Sequence, residues 1–192
     1  LGIFPLIAKW IVGMFQRRKA YAGWQRPKTF ERNLVVIGAG SGGLITSLIG
    51  AVVKAKVSLI EDHKMGGDCL NYGCVPSKAL IKTATLARQI RHSQDYGIAK
   101  AEATIDFAQV MERIAHVVRE IEPHDSVERY TGLGVDVAIG RAKITSPWHV
   151  EITKDDGSKQ TLSTKSIVIA TGAAPFVPPL PGLDDVGYLT SD

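Results

Sequence analysis

Cys69 and Cys74 are the only cysteines of the chain, with four residues between them in Gly66-Gly67-Asp68-Cys69-Leu70-Asn71-Tyr72-Gly73-Cys74-Val75-Pro76-Ser77-Lys78. Two thiols at this spacing can do three things. As zinc ligands they lack a second pair at suitable spacing, and His63 alone does not complete a site. As a structural staple they would close too small a loop to restrain the unfolded chain much. As a redox couple they need access, thiolate character and an electron source. A source is suggested upstream by Gly38-Ala39-Gly40-Ser41-Gly42-Gly43. Gly38, Gly40 and Gly43 have G-x-G-x-x-G spacing. The first permits a tight turn, the second lets backbone N–H groups approach a pyrophosphate, and the third lets a helix pack close to a strand. The amides and dipole of a helix beginning at Ser41 would favour phosphate charge. Glu61 falls where a carboxylate accepts from ribose hydroxyls. A dinucleotide cradle beside a dithiol favours the redox reading, with a flavin passing electrons to the disulfide.

These residues need particular elements around them. Asn33–Ile37 reads as a short apolar strand, Ser41–Val53 as a helix of small and aliphatic residues, and Lys56–Ile60 as a second strand ending at Glu61. Together they make a strand–glycine turn–helix–strand unit, the first of a Rossmann-type fold. A regular helix would hold positions 69 and 74 roughly 8 Å apart, beyond disulfide reach. Residues 69–74 are therefore expected to form a distorted turn, which Gly73 permits and Pro76 helps terminate. Helices are expected over Ser77–Gln94 and from Asp106 to about Tyr130. In the second, Phe107, Val110, Ile114, Val117, Val118 and Ile121 recur at helical spacing as a core stripe. Beyond Gly134 the period becomes two, over Val135–Ile139, Ala142–Ile144, His149–Ile152 and Thr161-Leu162, with Asp155–Ser158 as a hairpin turn. Ile167–Ala170 is a continuous apolar run of the kind found in a buried parallel strand.

The 192 residues are 45% hydrophobic and carry a net charge of +4. That charge is local. Lys9, Arg17, Arg18, Lys19, Arg26, Lys28 and Arg32 face Glu31 alone within residues 1–32, so the remainder is net acidic. An acidic globular part is a poor nucleic-acid binder, and no nucleic-acid partner is expected. The start at Leu1 and the end at Asp192 lead us to expect a piece of a longer protein. Residues 1–19 form an apolar and then basic segment, 20–32 a basic linker containing Pro27, and 33–192 a domain. Residues 1–15 are apolar on all sides except for Lys9, and too short to span a bilayer on their own. With Arg17-Arg18-Lys19 behind them, they read equally as the cytoplasmic end of a membrane helix, which would tether the protein, or as an arm packed on the domain or a partner. The charge follows the apolar stretch, unlike a signal peptide. A catalytic dithiol fits a cytoplasmic setting.

Met65-Gly66-Gly67-Asp68-Cys69-Leu70-Asn71-Tyr72-Gly73-Cys74-Val75-Pro76-Ser77-Lys78 resembles the active-site signature of the class I pyridine nucleotide-disulfide oxidoreductases. The resemblance extends over residues 33–192, through Gly38–Gly43, Glu61 and Ala170-Thr171-Gly172-Ala173-Ala174-Pro175. It implies an α/β fold, a Rossmann-type FAD-binding domain with a parallel sheet plus an antiparallel β-meander, truncated at its C-terminal side. It also implies FAD held by Gly38, Gly40, Ser41, Gly42 and Gly43 at the pyrophosphate and by Glu61 at the ribose. Gly67 and Asp68 would lie along the ribityl and phosphate region, Ala142 at the adenine, and Ala170, Thr171 and Gly172 against the cofactor. Cys74 would face the flavin, Cys69 would exchange with substrate, and Lys78 would stabilise negative charge on the reduced ring.

By the same resemblance, NAD(P)H reduces FAD in a homodimeric full-length enzyme. The dithiol then reduces a small-molecule or protein disulfide, or a thiol-bound metal ion. The segment alone is not expected to turn over. Position 68 commonly holds Thr in the family, and Asp there puts a carboxylate near phosphates. Gly66-Gly67-Asp68, Tyr72 and Val177–Leu183 look closest to mercuric reductase-like members. Two alternatives stay open: a flavin and dithiol relay to a membrane partner, and a flavin-binding module with inert cysteines.

Overall fold

Two adjacent valines set the layering. The computed structural model describes residues 3–190, and in it Val35 and Val36 of strand β1 (Arg32–Ile37) are both fully buried. Successive strand side chains point to opposite faces, so β1 must be covered on both. Val36 joins Ala39, Leu44, Val57, Leu59, Tyr130 and Val135 in one cluster, and Val35 joins Ile60, Val150, Ile152 and Leu162 in the other.

The first cluster lies beneath helix α2 (Ser41–Val52), which follows β1, and strand β2 (Val57–Glu61) returns parallel to β1. The glycines make the α2 contact possible. A Cβ on Gly43 would overlap the carbonyl oxygen of Gly38, and one on Gly50 would come within 2.7 Å of Val57 Cγ2. Helix α1 (Ile3–Ala20) precedes this unit. Residues 1 and 2 of the apolar run lie outside the described residues. Among those described, no helix is long and apolar enough to cross a membrane.

Helices α3 (Gly67–Asn71) and α4 (Cys74–Arg91) follow β2, and α5 (Phe107–Ile121) packs along α4. Asp106 caps α5 by accepting from the Ala108 and Gln109 amides at 3.0 and 3.3 Å. The sequence pattern ran one helix from Asp106 to about Tyr130, but α5 stops at Ile121. Pro123 has no N–H to continue the ladder, a 3-10 turn spans Glu122–Asp125, and Ser126 caps a new helix α6 (Val127–Gly132). The expected core stripe of α5 is also only partly core. Ile114 is buried, whereas Phe107, in the first turn of α5, is 64% exposed.

Strand β3 (Asp136–Ile139) pairs parallel to β2, so the period-two pattern at 135–139 belongs to the parallel sheet and not to the meander. The meander is β4 (Arg141–Ser146), β5 (His149–Thr153) and the first half of β6 (Lys159–Ile169). The two expected runs at 161–162 and 167–170 are thus one 11-residue strand. Its residues 159–163 pair antiparallel with β5, and its residues 164–169 pair parallel with β1. The strand order is β3-β2-β1-β6-β5-β4. At the crossover, the Ser163 amide and hydroxyl donate to Glu31 Oε2 at 2.9 and 3.0 Å, and the Glu31 amide donates back to Ser163 Oγ at 3.1 Å. Those bonds, the backbone one first, hold the Glu31 carboxyl below its ordinary range. A short helix α7 (Leu183–Val186) follows the proline-rich stretch.

The two neighbouring glycines of the cradle are expected to behave oppositely. A Cβ on Gly42 would meet only Ala170 Cβ, at 4.0 Å, so Gly42→Ala should be neutral or add up to about 1 kcal/mol through helix propensity. Gly43→Ala should cost about 1–3 kcal/mol, as overpacking against backbone does. Urea denaturation of the cofactor-free chain measures both.

Candidate functional site

The parallel strands β1, β2 and the second half of β6 deliver three chain ends to one edge of the sheet, and a cleft of about 640 Å³ opens there. Open α/β sheets bind ligands at this edge, in volumes of roughly 300–1,000 Å³. Gly38 leaves β1 with φ +100°, its amide donating to Ile60 O at 2.7 Å. A Cβ on Gly38 would overlap the Ala170 carbonyl, so the turn after β1 and the segment after β6 touch through backbone alone. The same is true across the floor of the cleft, where a Cβ on Gly67 would come within 2.6 Å of Gly40 Cα. A cradle with so little side chain leaves the first-turn amides of α2 accessible to an anionic group.

Glu61 ends β2 and is 9% exposed on the cleft wall. Its Oε2 accepts from the Ala39 amide at 2.5 Å and its Oε1 from the His63 amide at 2.8 Å. The carboxylate therefore ties the glycine turn to the end of β2. A carboxylate offers about four acceptor positions, so two remain for hydroxyl donors.

The cysteines sit on the break between α3 and α4. The Asn71 side-chain amide closes α3 from within, donating to Met65 O at 3.1 Å and Gly67 O at 2.8 Å. At Gly73 the backbone takes φ −103°, ψ −100°, and a Cβ there would come within 2.6 Å of Asp68 Oδ2. The expected distorted turn is thus present, but Pro76 does not help terminate it. It is the third residue of α4, where the missing N–H has no partner in any helix. Cys69 is half-buried, Cys74 is exposed, and both are free thiols. The hydrogen bond to Cys74 is the main reason the Cys69 thiol is held above its ordinary range, with burial and the nearby Cys74 charge adding to it. A backbone hydrogen bond involving Cys74 and the charge of Lys78, exposed one turn into α4, act the other way.

Of the residues singled out in the sequence, Gly38, Gly40, Glu61, Gly67, Asp68, Ala142, Ala170, Thr171 and Gly172 line the cleft together. Ser41 and Gly42 are exposed at the start of α2, and Gly43 is buried in its contact with β1. Cys69, Cys74 and Lys78 lie beyond the edge formed by Asp68, Asn71 and Tyr72. Lys64, Tyr72 and Arg141 also line the cleft, and the sequence pattern assigns them no role there. Lys64 Nζ lies over the Tyr72 ring at 5.4 Å and donates to its hydroxyl at 3.3 Å. No spacing rule marks this pair, because the contact exists only once α3 folds back beside β2. Among the described residues no group of three or more His, Cys, Asp or Glu side chains could hold a metal ion.

Residues 32–192 match the pyridine nucleotide-disulphide oxidoreductase family. A dihydrolipoyl dehydrogenase of Geobacillus stearothermophilus is 38% identical over 147 residues, covering 76% of this chain and 31% of that protein. A mercuric reductase of Bacillus cereus is 28% identical over 162 residues, covering 84% of this chain and 25% of the relative. The chain therefore spans about a third or less of these two relatives. In fold it is similar to the flavoprotein disulfide reductase RclA of Escherichia coli, with a TM-score of 0.65 and 24% identity over 81% of this chain and 32% of that one.

Two outcomes test the site without any cofactor. Cys74→Ala removes the groups that chiefly raise the Cys69 thiol, so the pH midpoint for iodoacetamide alkylation of Cys69 should move down in the reduced protein. A midpoint that rises or stays put would separate the two thiols. Glu61→Ala leaves the buried Ala39 amide without its acceptor and should lower the stability of the cofactor-free chain by about 1–3 kcal/mol, read by denaturant unfolding.

Proposed function

The chain belongs to the pyridine nucleotide-disulphide oxidoreductase family, and from that membership we propose that it is the FAD-binding part of an NAD(P)H-dependent disulfide oxidoreductase. Members of the family bind FAD and use NAD(P)H. The observation that carries the reading is the pair of free thiols, Cys69 in α3 and Cys74 at the start of α4, on either side of the α3–α4 break beside the cleft. When bound, FAD supplies the electron pair that opens the disulfide between them.

The residues present fit that group. The first-turn amides of α2, which have no intrahelical acceptor, suit the pyrophosphate, and the two free acceptor positions of Glu61 suit ribose hydroxyls. Gly172, with nothing within 4 Å of the position a Cβ would take, leaves room at the mouth. Cys74 takes the flavin-facing role, Cys69 the exchange with substrate, and Lys78 supplies positive charge that stabilises the reduced ring. Relatives named dihydrolipoyl dehydrogenase predominate, so a small-molecule or protein disulfide is proposed as acceptor ahead of a thiol-bound metal ion. Dithiols of this kind work where thiols are kept reduced, so the proposed compartment is the cytoplasm, and the proposed full-length assembly is a homodimer.

Spectra of single variants of the full-length, FAD-loaded protein test the division between the thiols. Cys69→Ser should keep a long-wavelength absorbance band at neutral pH, because Cys74 remains free beside the ring. Cys74→Ser should abolish it, and both variants should lose disulfide reductase turnover. A band that follows Cys69 reverses the assignment, and its absence from both variants removes the thiols from the flavin.

A further inference from the structure

A second cleft, of about 790 Å³, lies between α1 and the meander. Its walls carry the cations Lys9, Arg18, Arg26 and Lys165 and the aromatic rings of Trp10, Tyr21 and Trp148, and they include no carboxylate. Tyr21 stacks on Trp148 with ring centroids 5.2 Å apart, which joins the end of α1 to the β4–β5 turn. Four cations around one concavity repel one another and attract an anion. The nearest sequence offers none, since residues 1–30 contain no Asp or Glu.

The rest of α1 narrows the choice of anion. Trp10 is 69% exposed and Phe15 61%, with Ile7, Ile11 and Val12 also exposed. A nucleic acid or a free phosphate would satisfy the cations and leave these side chains in water. An anionic phospholipid surface satisfies both, because interfacial helices place apolar and aromatic side chains among the acyl chains and cations at the headgroups. Trp and Tyr favour that boundary.

We propose that the α1–meander cleft is a binding site for phosphate headgroups of anionic phospholipids, and that it seats the domain on a membrane surface through α1. The opening of the dinucleotide cleft shares none of these residues.

Flotation of the full-length protein tests this, using vesicles of phosphatidylcholine alone or mixed with phosphatidylglycerol. The protein should float with the mixed vesicles and not with the neutral ones. Each basic residue near an anionic surface contributes a factor of about five, so the double variant Arg26→Gln/Lys165→Gln should partition about 25-fold more weakly. FAD content should be unchanged in that variant, which separates loss of the site from loss of the fold. Flotation with neutral vesicles, undiminished flotation of the variant, or binding to a mixed-sequence oligonucleotide instead of vesicles would each overturn the proposal.

Discussion

Everything around the dinucleotide cleft depends on backbone meeting backbone without side chains between. At Gly38 the end of β1, the first turn of α2 and the segment after β6 converge, and a single Cβ on Gly38 or Gly43 would collide with main-chain oxygen. Main chain cannot rotate aside as a long side chain can, so the close approach is fixed once these positions lack Cβ atoms. It draws the amides of the turn toward the same edge at which β2 presents Glu61. The opposing wall comes from the same rule, with Gly67 laid against Gly40.

Glu61 links that constraint to the binding chemistry. A carboxylate expected from sequence to serve a ligand already serves the protein, by accepting from the Ala39 and His63 amides. The two duties are compatible because acceptor capacity exceeds two. Prior engagement fixes the orientation of the carboxylate before a ligand arrives, so less ordering remains to be done on binding.

The first unit of the fold was legible because its signals are local. Glycine spacing, an apolar strand and a carboxylate at the end of the next strand are read within thirty residues or so, the usual span of such a unit. What was not legible depends on contacts made at long range or on competition between local rules. Lys159–Ile169 reads as two pieces because its first half pairs antiparallel with β5 and its second half parallel with β1, so the pattern changes inside one strand. Val135–Ile139 looks like meander since alternation does not reveal whether a partner strand is parallel. In the helix from Asp106, Pro123 outweighs a hydrophobic period that continues past it. At Pro76 the ring was read as a stop, whereas its place in a first turn makes it a start. The thiol pair was legible by type and spacing, but the upward displacement of the Cys69 thiol was not, because it arises from the contact with Cys74 and from burial.

The placement of β6 between β1 and β5 has a consequence for how the chain is made. β1 is complete near residue 37, yet the strand that covers one of its edges is not synthesised until residue 169. A ribosome adding about 5–20 residues per second leaves that edge bare for many seconds, with fully buried valines of the final structure on either side of it. Unpaired edges of this kind invite pairing with other chains. The sheet thus closes from its middle and closes late, and the nascent chain, more than the finished domain, is the form in need of protection.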